Sequence, residues 1–266
     1  MLIVHLSDLH LRVAGQLYQG LVDSNALFDL ALDTLLDLTP APDLVIIGGD
    51  LVDEGTEAEY ATVRKALARL PKPVLAIPGN HDDRENFRRC LGERLLSLPR
   101  TGPLHQDTGH RWPVRVIALD VTVPGAHHGE ITDETLDWLG ARLREAPGHP
   151  TLLLMHQPPV ESGMGFIDAY RCEGGDRLAR LLTGFDNIER VLCGHIHRPM
   201  QARFGGSLLM TAPSTATSIA LRLEREAEPA SFLEPPAFLL HHLRPGQALT
   251  SHWVPVGRFP GPLPFF

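Results

Sequence analysis

An α/β fold built on a parallel sheet is predicted by three features of the sequence. Short runs of branched apolar residues, such as Leu44-Val45-Ile46-Ile47, recur along the chain and read as strands buried on both faces. These runs alternate with segments of helical spacing, a β-α-β-α-β order that implies right-handed crossovers. The runs also end in Asp, Asn or His, which puts polar chemistry at strand carboxyl ends, where open α/β sheets bind their ligands.

Leu2 to Leu6 is the first predicted strand and ends in Ser7-Asp8-Leu9-His10. A polar loop through Gly15 and Gly20 precedes an amphipathic helix from about Asn25 to Leu38, closed by Thr39-Pro40. Leu44 to Ile47 ends in Gly48-Gly49-Asp50, the glycines letting the backbone leave the sheet tightly. Glu57 to Leu70 carries Tyr60, Val63, Leu67 and Leu70 at helical spacing, and Pro71 is expected to stop it. Val74 to Ile77 ends in Pro78-Gly79-Asn80-His81-Asp82, followed by a helix over Asp83 to Leu96. Leu104 to Leu119 reads as a hairpin turning near Gly109-His110 and ending at Asp120. Thr132 to Ala146 is a capped helix with Asp133 and Glu134 in its first turn. Thr151 to Met155 ends in His156-Gln157-Pro158-Pro159, a helix covers Asp176 to Leu182, and Ile188 to Cys193 ends in Gly194-His195-Ile196-His197. The remainder is β-rich: Met200 to Phe204, Ser207 to Thr211, Phe238 to Leu243 and Ala248 to Val254. The acidic, proline-bearing stretch Glu224 to Pro236 reads as a loop or linker into a cap or oligomerisation element.

The 266 residues suit one large domain, or a domain with an appendage. A net charge of −8 argues against gripping a nucleic-acid polymer, while metal in an acidic site would leave small anionic substrates admissible. No apolar run approaches membrane-spanning length and no signal peptide is visible, so the expectation is a cytoplasmic protein without a membrane partner. Cys90, Cys172 and Cys193 are odd in number and widely spaced, which fits reduced thiols.

Five predicted strands end in donors: Asp8 and His10, Asp50, Asn80 and His81, His156, and His195 with His197. In a parallel sheet these ends share one edge, and Asp-x-His or His-x-His pairs aim alternate side chains together if the backbone stays extended. Imidazole, carboxylate and amide oxygen suit first-row divalent metals. The donors are too many for one ion but fit two ions about 3.5–4 Å apart sharing a carboxylate. Singly, Asp8 and Asp50 read as caps, Asn80 as a turn residue and His156 as a packed histidine; the joint pattern argues for metal.

In order and spacing, Asp8-x-His10, Gly49-Asp50, Gly79-Asn80-His81-Asp82, His156 and Gly194-His195-x-His197 resemble the calcineurin-like metallophosphoesterases. Ser7-Asp8-Leu9-His10 and Gly194-His195-Ile196-His197 resemble most the bacterial class III cyclic-nucleotide phosphodiesterases. The overall length, Tyr18 to Asn25 and the β-rich tail resemble the glycerophosphodiesterases of that branch. The resemblance implies a four-layer α/β/β/α sandwich with two central sheets, so the single parallel sheet read from the residues is incomplete. It also implies a catalytic core over residues 1–200 and a C-terminal part, 201–266, that completes the second sheet and forms a cap or oligomerisation element. By the same resemblance, Asp8, His10, Asp50 and His197 hold one metal, and Asp50, Asn80, His156 and His195 the other. The implied ions are Fe, Mn, Zn or Co. A metal-bridging hydroxide would attack phosphorus in line. His81 would bind the phosphate or protonate the leaving alkoxide, with Asn80 and His197 also facing substrate. Asp82 is either an orienting group or a helix N-cap.

Asp53-Glu54-Gly55 and Asp82 depart from the protein-phosphatase pattern, Asp53 replaces the tyrosine of purple acid phosphatases, and Gln157 stands where close relatives carry a second histidine. The remaining histidines, His5, His105, His110, His127, His128, His149, His241, His242 and His252, read as structural or solvated, with His127-His128 in an exposed loop. Met164 to Tyr170 is a candidate substrate wall, Phe166 and Tyr170 facing either substrate or the body. The expected function is hydrolysis of small phosphodiesters, cyclic nucleotides or glycerophosphodiesters, in a homo-oligomer. The alternatives are a non-catalytic metal- or nucleotide-binding sensor and, less favoured by the acidic charge, a nuclease of the same fold.

Overall fold

The computed structural model describes residues 1–70 and 73–265. In chain order its elements are β1 (Leu2–Leu6), α1 (Ser24–Leu36), β2 (Leu44–Ile47), α2 (Glu57–Leu67), β3 (Val74–Ala76), α3 (Arg84–Leu91), β4 (Gln106–Asp107), β5 (Arg115–Ala118) and β6 (Gly129–Glu130). There follow α4 (Asp133–Glu145), β7 (Thr151–Leu154), α5 (Gly165–Asp168), β8 (Cys172–Glu173), α6 (Gly175–Leu182), β9 (Ile188–Cys193), β10 (Gln201–Phe204) and β11 (Ser207–Thr211). The last strands are β12 (Ser218–Ile219), β13 (Ser231–Phe232), β14 (Ala237–His242) and β15 (Thr250–Pro255).

Local chemistry sets the helix starts. Asp23 caps α1 by accepting from the Ala26 amide, Thr56 and Glu59 form a capping box on α2, and Thr132 caps α4 by accepting from Thr135. The α2 helix stops at Leu67, short of the expected Leu70, and the proposed Pro71 stop lies outside the described residues. The α3 helix ends at Leu91 rather than Leu96, with Gly92 at its C-cap.

The single sheet read from the residues is corrected to two large ones, in the orders β15-β14-β1-β2-β3 and β10-β11-β9-β7-β5-β4. In the first, β1, β2 and β3 run parallel, while in the second β5, β7, β9 and β11 do. The strands read as continuous apolar runs because both faces are buried. On β1 and β2, Val4, Leu6, Val45 and Ile47 pack with Phe28, Leu32, Tyr60 and Phe87 of α1–α3. Their alternates Ile3, Leu44 and Ile46 meet Val116, Ala118, Leu152 and Leu154 of the second sheet. That sheet's other face, through Ile117, Leu153 and Val191, packs on Leu139 and Leu143 of α4 and Leu178 and Leu182 of α6.

The tail adds strands to both sheets, where the expectation named the second. The β11 strand joins β9 and carries β10, whereas β14 pairs antiparallel with β1, Leu2 opposite His242, and carries β15. The parallel β1 would otherwise leave its outer backbone unpaired. Within the expected 224–236 loop lies β13, paired with β12 as a small hairpin.

Polar groups also enter the seam between the sheets. His5 and His241 are fully buried, ring centroids 5.7 Å apart. His241 Nδ1 meets Ser251 Oγ at 2.8 Å. Burial, with the Arg190 charge, pushes the His241 ring down to about 3. Unfolded, the same ring titrates near 6.5, so stability is complete above that pH and declines as pH falls from 6.5 toward 3. Folding should therefore lose about 2 kcal/mol from this ring between pH 7 and pH 5. Urea unfolding at the two pH values tests this: His241→Leu should show a shallower pH dependence than the parent, and equal slopes would remove the assignment.

Candidate metal centre

The donors predicted at strand ends do converge, but not through extended backbone. Asp8, His10, Asp50, His195 and His197 all have positive φ, between 44° and 67°. The left-handed turns replace strand alternation, so the extended Asp-x-His and His-x-His premise is corrected. Asp and His tolerate this region better than most residues, yet each such position costs about 1–3 kcal/mol and concentrates at functional sites. The turns interlock: the Leu9 and His10 amides both donate to the Asp50 carbonyl, at 2.8 and 3.0 Å. Glycines permit the approach. A Cβ on Gly79 would overlap Asp50 Oδ1, and one on Gly49 would overlap the His156 ring.

The converging atoms form two groups that share Asp50. Asp8, His10, Asp50 and His197 offer atoms within 4.8 Å of one another, as do Asp50, His156 and His195. His156 Nε2 lies 3.2 Å from Asp50 Oδ2, His197 Nε2 lies 3.4 Å from Asp8 Oδ1, and His10 Nε2 lies 3.1 Å from His197 Nε2. The first sheet supplies Asp8, His10, Asp50 and Asn80; the second supplies His156, His195 and His197. The centre therefore straddles the seam between two sheets rather than one sheet edge.

Hydrogen bonds orient the donors. His156 Nδ1 donates to the Gly48 carbonyl at 2.6 Å and His197 Nδ1 to the Thr217 carbonyl at 2.8 Å, which leaves both Nε2 lone pairs toward the centre. His195 Nε2 and Asn80 Oδ1 are buried without a hydrogen-bond partner. Such orphaned acceptors stand beside two buried carboxylates that, among the described residues, ion-pair with histidines and with no Lys or Arg, and so fit divalent cations. The electrostatics agree. Burial alone would raise Asp50, but His156, His81 and His10 hold it well below the carboxylate range. Burial alone would lower His156, but Asp50, Asp8 and the Gly48 carbonyl raise it to about 9. The carboxylates thus draw positive charge onto the nearest available group.

Neighbouring groups fix the loops. Asp82 accepts from the Gly79 amide at 2.9 Å, the Leu51 amide at 3.1 Å and the Tyr60 hydroxyl at 2.8 Å, tying the Asn80 turn to the Asp50 turn. The N-cap of α3 is Asp83, so of the two readings of Asp82 the cap is set aside. His81 donates its amide to Asp50 Oδ1 at 2.9 Å, and its Nδ1 meets the Asp53 carbonyl at 2.8 Å, which leaves Nε2 free. Arg12, missed in the sequence, ion-pairs with Asp53, Glu54 and Glu59 at 2.8–2.9 Å beneath this turn.

A cleft of about 510 Å³ opens over the centre, lined by Asp50, Asn80, His81, His195 and His197. Phe166 and Tyr170 of the 164–170 stretch line it, as do Tyr18, Thr217 and the β12–β13 hairpin through Ile219 and Ser231. Tyr18 stacks on His10 at 4.6 Å. His127, read as a solvated loop residue, is exposed but also lines the cleft, its Nδ1 3.3 Å from Asn80 Nδ2. Gln157, the departure from the double-histidine pattern, donates to the His127 carbonyl at 3.0 Å and so holds that loop. No spacing rule links His127 to Asn80, because a loop after Pro124-Gly125 brings them together.

Comparison with known proteins agrees with this architecture. Residues 1–199 match the family model described as calcineurin-like phosphoesterase. A probable glycerophosphodiester phosphodiesterase of Arcobacter nitrofigilis is 35% identical over 275 residues, covering 100% of this chain and 97% of the relative. The 3',5'-cyclic adenosine monophosphate phosphodiesterase of Escherichia coli K12 is 28% identical, over 80% of this chain and 75% of its own. Among solved structures, a dimetal phosphatase from Danio rerio superposes with a TM-score of 0.67 at 12% identity, over 97% of this chain and 99% of that one, a likeness of fold.

The Tyr60 hydroxyl has a consequence that stability measurements can read. Tyr60 is fully buried against Phe87, so Tyr60→Phe keeps the packing and removes its 2.8 Å hydrogen bond to Asp82 and the longer 3.4 Å one to the Asp83 carbonyl. The loss should be about 1–3 kcal/mol in urea unfolding, because a buried carboxyl loses a donor. A change below about 0.5 kcal/mol would mean that the bond does not hold the two turns.

Proposed function

The chain belongs to the calcineurin-like phosphoesterase family, and on that premise we propose that it hydrolyses small phosphodiesters at a centre of two divalent metal ions. The observation that carries this reading is the pair of donor groups joined at Asp50. In this reading Asp8, His10, Asp50 and His197 hold one ion, and Asp50, Asn80, His156 and His195 the other. Bound divalent ions supply Lewis acidity toward a phosphoryl oxygen and activate water near neutral pH. Their imidazole, carboxylate and amide donors suit Fe, Mn, Zn or Co.

The side chains do the remaining work. Asn80 and His197 border the cleft beside His81 and orient the diester. His81 keeps Nδ1 on the Asp53 carbonyl and presents Nε2 to the cleft, where it binds the phosphate or delivers a proton to the leaving alkoxide. Among diesters, glycerophosphodiesters are favoured. The Arcobacter relative named for them matches 100% of this chain, tail included, whereas the E. coli cyclic-AMP enzyme matches 80%.

Two assignments rest on surface and composition. Leu221, Leu223, Phe232 and Leu233 are exposed around the β12–β13 hairpin, which supports a homo-oligomer formed through this arm. Among the described residues no helix is long and apolar enough to cross a membrane, and the three cysteines are free, which supports a cytoplasmic setting.

Metal-reconstituted protein should hydrolyse bis(p-nitrophenyl) phosphate, lose this activity with chelator, and prefer glycerophosphodiesters to cyclic AMP. Absence of diesterase activity with Mn, Co, Zn and Fe would sink the reading. Metal analysis separates the ligands: Asp50→Ala should lose both ions and Asn80→Ala mainly one. Full metal content in both variants would break the bridging assignment.

A further inference from the structure

The walls of the cleft differ in character from its floor. The floor carries Asp50, His195 and His197, with Asn80 and His81 at its edge. Above it stand aromatic, apolar and hydroxyl groups: Tyr18, His127, Phe166, Tyr170, Ile219 and Ser231. Among the described residues, no Lys, Arg or Glu lines this space, and the one lining carboxylate is Asp50 on the floor.

Two arginines close to lining residues are committed elsewhere. Arg12 is taken up by Asp53, Glu54 and Glu59. Arg198, behind the hairpin, donates to the Ile219 carbonyl at 2.9 Å and pairs with Glu234 at 2.9 Å. An anionic group entering the walls would thus meet no Lys or Arg to pair with, in a protein of net charge −8. The aromatic surfaces favour the opposite sign. Tyr170 and His127 meet nearly edge to face at 5.4 Å, forming a corner in which a ring face can receive a cation or an apolar group.

Resting on the diesterase reading, we propose that the cleft is a charge filter. It accepts phosphodiesters whose second alcohol is neutral or cationic and excludes those whose second alcohol carries another negative charge. The floor, with its ions, meets the single charge of the diester, and the walls offer hydroxyl, amide and ring groups but no Lys or Arg to pair with a second one. Electrostatic mismatch of this kind gives selectivity by rejection rather than by added contacts.

The test uses matched p-nitrophenyl diesters of choline, propanol and glycolate, which share a leaving group and differ in the charge of the second alcohol. With metal-loaded enzyme, kcat/KM for the glycolate diester should fall at least about tenfold below that for the propanol diester, with choline at or above propanol. Ser231→Lys adds a cation to the wall and should raise the glycolate diester about tenfold relative to propanol. Glycolate and propanol values within about threefold of each other overturn the filter while leaving the diesterase reading intact. An equal change of all three substrates in Ser231→Lys also overturns it. No hydrolysis of any diester, bis(p-nitrophenyl) phosphate included, overturns both together.

Discussion

Two carboxylates buried side by side are the constraint around which this protein is arranged. Asp8 is fully buried and Asp50 is 2% exposed, and each lies within 4 Å of His156 Nε2. Buried charges of one sign are tolerated only against opposite charge. Among the described residues the side chains that ion-pair with Asp8 and Asp50 are imidazoles, three of which reach Asp50 or Asp8 through Nε2. Histidine answers that demand partly, by taking a proton, and divalent cations answer it fully. The left-handed turns, the glycines under them and the carbonyls that fix each imidazole all serve to keep these groups close.

Strain in the turns has to be offset by rigid surroundings, and the two sheets provide them. Each ligand turn follows a strand packed on both faces, so the turn begins from a fixed point. The seam between the sheets has apolar packing below, and the donors close it at the carboxyl ends of the strands. Cross-links such as Ser214 Oγ to the Asp8 carbonyl, at 2.7 Å, and the His195 amide to Asp8 Oδ1, at 3.0 Å, hold the two sheets' turns in register. A hinge between the sheets would pull the two donor groups apart at Asp50. The centre therefore depends on the inter-sheet core as much as on its own ligands.

The sequence made the strand ends legible because doubly buried strands read as apolar runs and stop at their polar donors. The resemblance pointed to two sheets; the residues alone pointed to one, since parallel strand order carries no mark of which sheet a strand joins. The cap at Thr132 was legible as local chemistry. Positive φ at Asp8, His10, Asp50, His195 and His197 was not, because none is glycine and each follows a run that predicts extension. The parts played by His127, Gln157 and Arg12 were not legible either. Their roles arise from contacts with residues far along the chain, and their sequence neighbourhoods read as ordinary loops. The hairpin of β12 and β13 escaped because strands of two residues leave no period to detect.

Asp120 shows why a strand-end carboxylate alone does not announce a metal. It follows β5 as Asp50 follows β2, and its side chain is as thoroughly buried. Yet it accepts from Arg84 Nε at 2.7 Å and Nη2 at 3.0 Å, from the Leu104 amide at 2.9 Å and from Thr122 Oγ1 at 2.7 Å. Burial alone would raise its pKa, but Arg84 holds it below the usual carboxylate value. Its charge is answered within the protein, with a bidentate guanidinium filling the place that a cation fills elsewhere. Arg84 begins α3, four residues after Asn80, so one turn delivers a donor to the centre and a counter-charge to the carboxylate outside it. What separates the two acids is therefore the partner that the fold brings to each. Among the described residues Asp50 receives only imidazole and backbone amide, and an acid so placed is completed by metal.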